Sequence, residues 1–182
     1  MALYIGTNYH PHDWPRKRWK TDIRLMQEAG FQVVRLGHLC WDSFEPEEGV
    51  YTFEWFDQVM DLFAEVGIRV FLDISVRPSP AWVHRLCPGC VICGKSGNPQ
   101  ASLRRYMENI SDPEYQQYAF RFAETFVRRY RDHSALFAFG LCNEIGDGYI
   151  SHSEAVRRRF ARWLEKKYHA VSALKEAWAA RR

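Results

Sequence analysis

Apolar and polar positions along this chain alternate between two periods. Short apolar runs at Leu3 to Thr7, Gln32 to Leu36, Ile68 to Ile74 and Ser134 to Cys142 predict strands, because each is brief and rich in β-branched or aromatic residues. Between them, apolar residues recur at helical spacing. Trp19, Ile23, Leu25-Met26 and Ala29 form one stripe after Arg16, and Gly30 stops it. Phe56, Val59-Met60, Leu62-Phe63 and Val66 form the next, between Phe53 and Gly67. Pro113, behind an Asp112 cap, opens a helix that runs to Arg131. Ser151 and Glu154 read as a capping box for a helix to Tyr168, a pairing that Ser153 and Val156 do not offer. Val171 to Trp178 predicts one more short helix.

Two stretches lack a sustained period. Gly37 to Tyr51 is a loop holding His38, Trp41, Asp42 and Glu45. Ser75 to Asp112 carries Pro78, Pro80, Pro88, Pro99 and several glycines, and a loop of that length inside a domain is usually functional. The element order is therefore a βα unit repeated four times, which argues for a parallel sheet with helical crossovers. An open doubly wound sheet would show a glycine-rich phosphate turn after its first strand; Thr7-Asn8-Tyr9-His10-Pro11 is not one. Long polar loops after each strand favour a barrel. The expected class is α/β, a partial (β/α)8 TIM barrel of about four βα units.

Composition narrows the partners. At 182 residues, with 47% apolar and 15% aromatic residues, the chain can bury one good core and is no disordered segment. A net charge of +3 gives no reason to expect nucleic acid, and Arg157-Arg158-Arg159 and Arg181-Arg182 read as solvated faces. No apolar run approaches the roughly 20 residues of a membrane span. Met1 to Gly6 does not read as a secretory leader, and five cysteines do not make a complete disulfide framework, so the expected location is the cytoplasm.

Candidate chemistry gathers at the strand ends. His10 and His12 follow the first strand, Arg35 and His38 mark the second, Asp73 to Arg77 the third, and the run Phe137 to Cys142 ends abruptly in Asn143-Glu144. In a parallel sheet all four clusters meet at one mouth. Sugar hydrolysis needs such an inventory: one carboxyl to protonate the leaving oxygen, another to handle the anomeric carbon, and amides and guanidiniums to hold hydroxyls. Trp14, Trp41 and Trp82 either stack on sugar faces or pack in the core. Cys87-Pro88-Gly89-Cys90-Val91-Ile92-Cys93 has the spacing of a zinc knuckle through Cys87, Cys90 and Cys93, with Cys40 or His84 as fourth ligand; its alternative is a reduced loop with free thiols. Cys142 reads as a small core residue.

Several segments together resemble glycoside hydrolase family 42. They are Asn8-Tyr9-His10-Pro11-His12-Asp13-Trp14-Pro15 with Arg18-Trp19, Val34-Arg35-Leu36-Gly37-His38 with Trp41, Glu45-Pro46-Glu47-Glu48-Gly49-Val50-Tyr51-Thr52-Phe53, Pro80-Ala81-Trp82, and Asn143-Glu144. The resemblance implies a β-galactosidase of retaining mechanism, with residues 1–182 as the N-terminal half of its catalytic barrel. It implies Glu144 as general acid/base, Asn143 and Arg105 as substrate-binding residues, and Arg35 as an arginine beside the nucleophile. The family's nucleophile is a glutamate after the seventh strand, which lies outside these four units. Its cysteine zinc site is not matched here: Met107 stands near one of its positions, and Gly148 to Glu154 contains no cysteine. The implied partner is a β-galactoside or oligosaccharide, with self-association or a missing C-terminal half closing the barrel. The reaction needs no cofactor, and a structural zinc is the one metal expected. A sugar-binding piece without turnover, or a zinc-dependent interaction module, are the alternatives.

Overall fold

The computed structural model describes residues 3–99, 107–141, 143 and 150–179. Strands β1 (Gly6–Asn8), β2 (Val33–Leu36), β3 (Arg69–Asp73) and β4 (Leu136–Gly140) form one parallel sheet in the order β1-β2-β3-β4. Helices α1 (Arg16–Glu28), α2 (Trp41–Phe44), α3 (Glu54–Glu65), α4 (Ala81–Leu86), α5 (Pro113–Tyr130), α6 (Glu154–Tyr168) and α7 (Val171–Ala179), with short 3-10 turns at Pro11–Asp13 and Pro88–Cys90, complete the described elements. Strand order follows chain order with no reversal. A doubly wound sheet requires a reversal, so this arc is part of a barrel wall.

Alternation along the strands assigns the two faces. Val34, Leu36, Val70 and Leu72 are fully buried, while Arg35 and Phe71, paired in register, project the other way. The buried face meets the apolar stripes of the helices. On α5 that stripe is Tyr115, Ala119, Phe122, Phe126 and Tyr130, spaced by three and four residues. Each such aromatic, fully buried, contributes roughly 1.5–3 kcal/mol. Asp112 caps α5 as expected, its Oδ1 accepting from the backbone N–H of Glu114 at 2.9 Å and Tyr115 at 3.1 Å.

The structure decides between open alternatives and corrects some local expectations. Trp41 and Trp82 are core residues, 0% and 2% exposed; Trp41 stacks on Phe122 and meets Trp82 edge-on. Only Trp14 of the three tryptophans is exposed, and the Arg18 guanidinium lies 4.8 Å from its ring centre. The aperiodic loops contain α2 and α4, which at four and six residues are too short to show a period. Ser153, not Ser151, caps α6, accepting from Val156 N–H; the Ser151 hydroxyl is taken by Cys93 N–H at 3.1 Å.

Candidate active site

Strands β2 and β3 and the turn after β4 each deliver one polar side chain to the same end of the sheet. These are Arg35, Asp73 and Asn143. Two glycines make the convergence possible. Gly37, at φ +79°, lets the chain turn off β2 where a Cβ would sit 2.7 Å from the Asp73 carbonyl oxygen. Gly140 ends β4 opposite Asp73; a Cβ there would lie 2.1 Å from Asp73 Oδ1 and 2.6 Å from Phe71 Cε1.

Asp73 is the hub. It is 2% exposed. Arg35 Nη2 donates to Asp73 Oδ2 and, at 3.0 Å, to Asn143 Oδ1. His38 Nδ1 lies 3.3 Å from the same Asp73 oxygen. Burial pushes the Asp73 carboxyl above its ordinary range, and the hydrogen bond and charge of Arg35 work against that rise. A carboxylate so held orients the Arg35 and His38 side chains. The first strand joins through its end. Tyr9 N–H donates to the Arg35 carbonyl at 3.0 Å, the Asn8 amide nitrogen lies 2.8 Å from His10 Nε2, and the His10 ring centre is 5.6 Å from those of both His12 and His38. Burial lowers the His12 pKa, which favours the neutral imidazole.

Of the residues expected at the site, the structure brings Arg35 and Asn143 into direct contact. Glu144 and Arg105 lie outside the described residues. Glu144 follows Asn143 directly, so the contact from Arg35 fixes the chain at the residue that precedes it.

The loop after β3 adds a second, more buried cluster that the sequence reading missed. Glu108, 1% exposed, accepts from Ser79 N–H at 2.6 Å and Ser79 Oγ at 2.9 Å, and faces Arg77 Nε at 3.4 Å. Burial pushes the Glu108 carboxyl up, but hydrogen bonds from His84 and Ser79 outweigh it and hold the group below its ordinary value. His84, bonded to Cys90 and then to Glu108, is raised to about 10. The aperiodic loop is thus pinned, with Tyr115 Oη donating to the Val76 carbonyl at 2.6 Å. The only signal in the sequence was a charged residue deep in a proline-rich loop.

Potential metal donors separate from the expected knuckle. Among the described residues, donor atoms lie within 4.8 Å of one another in His10, His12 and Asp13, and in Cys87, Asp112 and Glu114. The Cys87, Cys90 and Cys93 thiols do not form such a group: Cys93 Sγ turns to the Val91 carbonyl at 3.8 Å.

Comparison with known proteins adds a family match. The model of the glycoside hydrolase 42 family, described as β-galactosidase, matches residues 8–181. The chain is similar to a β-galactosidase of an Arthrobacter species, 34% identical over 179 residues, covering 97% of this chain and 26% of that protein. It is similar to β-galactosidase BbgII of Bifidobacterium bifidum, 30% identical over 177 residues, with the same coverage. Among solved structures, a β-galactosidase from the psychrophilic Marinomonas ef1 superposes with a TM-score of 0.90 at 30% identity, covering 97% of this chain and 27% of that one. One from the haloarchaeon Halorubrum lacusprofundi gives 0.90 at 26% identity, with the same coverage. The chain thus spans about a quarter of the length of the relatives it matches.

Proposed function

We propose a function from one premise: the chain belongs to the glycoside hydrolase 42 family. It is the acid/base-bearing arc of a barrel that hydrolyses terminal β-D-galactosides with retention. Glu144 protonates the glycosidic oxygen as the bond to the leaving sugar breaks, then takes a proton from the water that attacks the galactosyl intermediate. The nucleophilic carboxylate, about 5–5.5 Å away in a retaining site, comes from a later strand outside these residues. Arg105 and Asn143 hold substrate hydroxyls.

The observation that carries this reading is the bond from Arg35 to Asn143 Oδ1, anchored by buried Asp73. It fixes the orientation of the amide by holding its oxygen. The same guanidinium contributes positive charge where an anionic nucleophile is needed. The remainder of the barrel closes on the outer edges of β1 and β4. Helices α6 and α7 bury no residue, and Phe160, Trp163 and Trp178 are each 51% exposed, as expected of faces that pack on further units. Four cysteines, Cys40, Cys87, Cys90 and Cys93, are free and buried, which fits a reducing cytoplasm. No described helix is long and apolar enough to cross a membrane.

The test uses Glu144→Gln in the polypeptide that supplies the later glutamate. With lactose, whose leaving group needs protonation, turnover should fall by roughly 10²–10⁴-fold. Undiminished lactose turnover would overturn the assignment.

A further inference from the structure

We propose that the Pro88–Cys90 turn and the start of α5 form a site for a divalent cation of the zinc class, held by Cys87 Sγ, Cys90 Sγ, His84 Nδ1 and the Asp112 carboxylate. The donors come from three places that the fold already draws together. His84 lies on α4, Cys87 precedes the 3-10 turn that Cys90 ends, and Asp112 caps α5. The turn is closed by Cys90 N–H donating to the Cys87 carbonyl at 3.0 Å.

The spacing is that of a tetrahedron's edges. Zinc with sulfur at about 2.3 Å and nitrogen or oxygen at about 2.0 Å sets neighbouring donors about 3.5 Å apart. His84 Nδ1 lies 3.6 Å from Cys90 Sγ, and Cys87 Sγ lies 3.5 Å from Asp112 Oδ1. Two opposite edges are therefore in place, joined by the closed backbone turn from Cys87 to Cys90. Closing the site draws one edge onto the other. Asp112 spends Oδ1 on the helix cap, while its Oδ2 faces the turn, 4.0 Å from where a Gly89 Cβ would stand. The exposed Glu114 carboxylate lies within 4.8 Å of Cys87 and Asp112, available to a wider coordination.

The surroundings suit a ligand histidine. Its other nitrogen, Nε2, sits 3.1 Å from Ser79 Oγ and 3.8 Å from Glu108 Oε1, and Ser79 donates to that same buried carboxylate. A carboxylate behind the imidazole fixes the tautomer that leaves Nδ1 to the metal. Cys87 and Cys90 are 1% and 0% exposed, so a thiolate–metal bond there is shielded from water. Thiolate and imidazole together select zinc over magnesium or calcium. Both thiols, and the protonated His84 ring at Nδ1, lose their protons to solvent on binding, with no redox change. Cys93 is excluded: its thiol faces the Val91 carbonyl, and its backbone is tied to Ser151 and His152.

The full chain, reduced and stripped of metal, is titrated with Co²⁺ as a spectroscopic stand-in. One equivalent should bind, giving the intense visible bands of a tetrahedral ion and a thiolate-to-cobalt charge-transfer band, both removed by Zn²⁺. Cys87→Ser, Cys90→Ser, His84→Gln and Asp112→Asn should each weaken binding by at least about tenfold, as loss of a ligand or its support does. Cys93→Ser should leave it unchanged. Asp112→Asn retains the cap, and circular dichroism of every variant separates lost binding from lost folding. No stoichiometric uptake by the unaltered chain, a weak octahedral spectrum, or equal loss in Cys93→Ser would each overturn the proposal. So would a Cys87–Cys90 disulfide in protein kept reduced.

Discussion

Replacing Arg35 by methionine tests whether Asp73 is held by charge. The substitution keeps most of the stem and removes the guanidinium that contacts Asp73 and Asn143. Removing one partner of a buried ion pair costs roughly 3–5 kcal/mol, because a desolvated charge is left behind. Two features reduce that here. The Arg35 side chain is 30% exposed, and His38 remains 3.3 Å from the carboxylate. The expected loss is about 2 kcal/mol at neutral pH. Its pH dependence carries the diagnosis. Burial already raises the Asp73 pKa in the fold, and losing the cation raises it further. A carboxyl whose folded pKa lies above its unfolded value weakens the fold as pH rises through that interval, since the unfolded chain ionises first. The deficit of Arg35→Met is therefore full above the folded-state pKa and fades as pH falls toward the ordinary value of 3.8. Urea denaturation of parent and variant at neutral and acid pH reads the difference directly. Repeating the pair on an Asp73→Asn background should shrink the cost below about 1 kcal/mol, because no buried charge remains to be stranded. An equal deficit at both pH values, or on both backgrounds, would refute the reasoning and assign Arg35 a packing role.

Other expectations follow from the same geometry. Gly140→Ala places a methyl 2.1 Å from Asp73 Oδ1 and should cost about 1–3 kcal/mol by thermal unfolding, while Ala at Gly49, whose Cβ meets nothing within 4 Å, carries only the penalty of its φ of +74°. Glu108→Gln removes the carboxylate charge that faces buried Arg77 at 3.4 Å and accepts from Ser79, and should lose about 3 kcal/mol at neutral pH. Because the folded Glu108 pKa is lowered, the parent holds this stability above about 4.5 and loses it as pH falls through the folded value, so acid denaturation curves of the two should converge at low pH. Trp41→Ala should cost about 3–5 kcal/mol in urea denaturation without altering the KM for galactosides in the complete enzyme, as befits a core ring rather than a sugar platform.

The sheet was legible because its signals are local. Four short apolar runs separated by helical stripes dictate a parallel βα order, and the barrel choice followed from polar loops and a missing phosphate turn. Boundaries slipped where tertiary pairing decides them. The first strand shrinks to Gly6–Asn8 because only those residues pair in register with β2, and the fourth to Leu136–Gly140, the stretch that pairs with β3 across a register shift between Val70 and Phe71. The cap of α6 slipped for a related reason. Ser151 and Glu154 form a plausible box in sequence, yet the Ser151 hydroxyl is claimed by Cys93, 58 positions away.

The site was legible as an inventory and not as a network, for a physical reason. A strand end advertises its polar residue through local contrast: Asp73 breaks an apolar run, and Asn143 ends another. Which of these touch depends on register, and a slip of one residue reverses a side chain's face. Arg35 reaches Asp73 across 38 positions and Asn143 across 108, and the meeting requires Gly37 and Gly140 to leave space where any side chain would collide. Those glycines carried the missing information. Gly140 reads in sequence as a weak point in a strand, whereas in the fold it is the vacancy into which a buried carboxylate is set. The tryptophans stayed open for a different reason. A large ring near a strand end serves sugar or core equally well in one dimension, and only the stacking of Phe122 on Trp41 decides between them. Chemistry at a barrel mouth is thus assembled from residues that are individually conspicuous, while their pairing is set by the small residues between them.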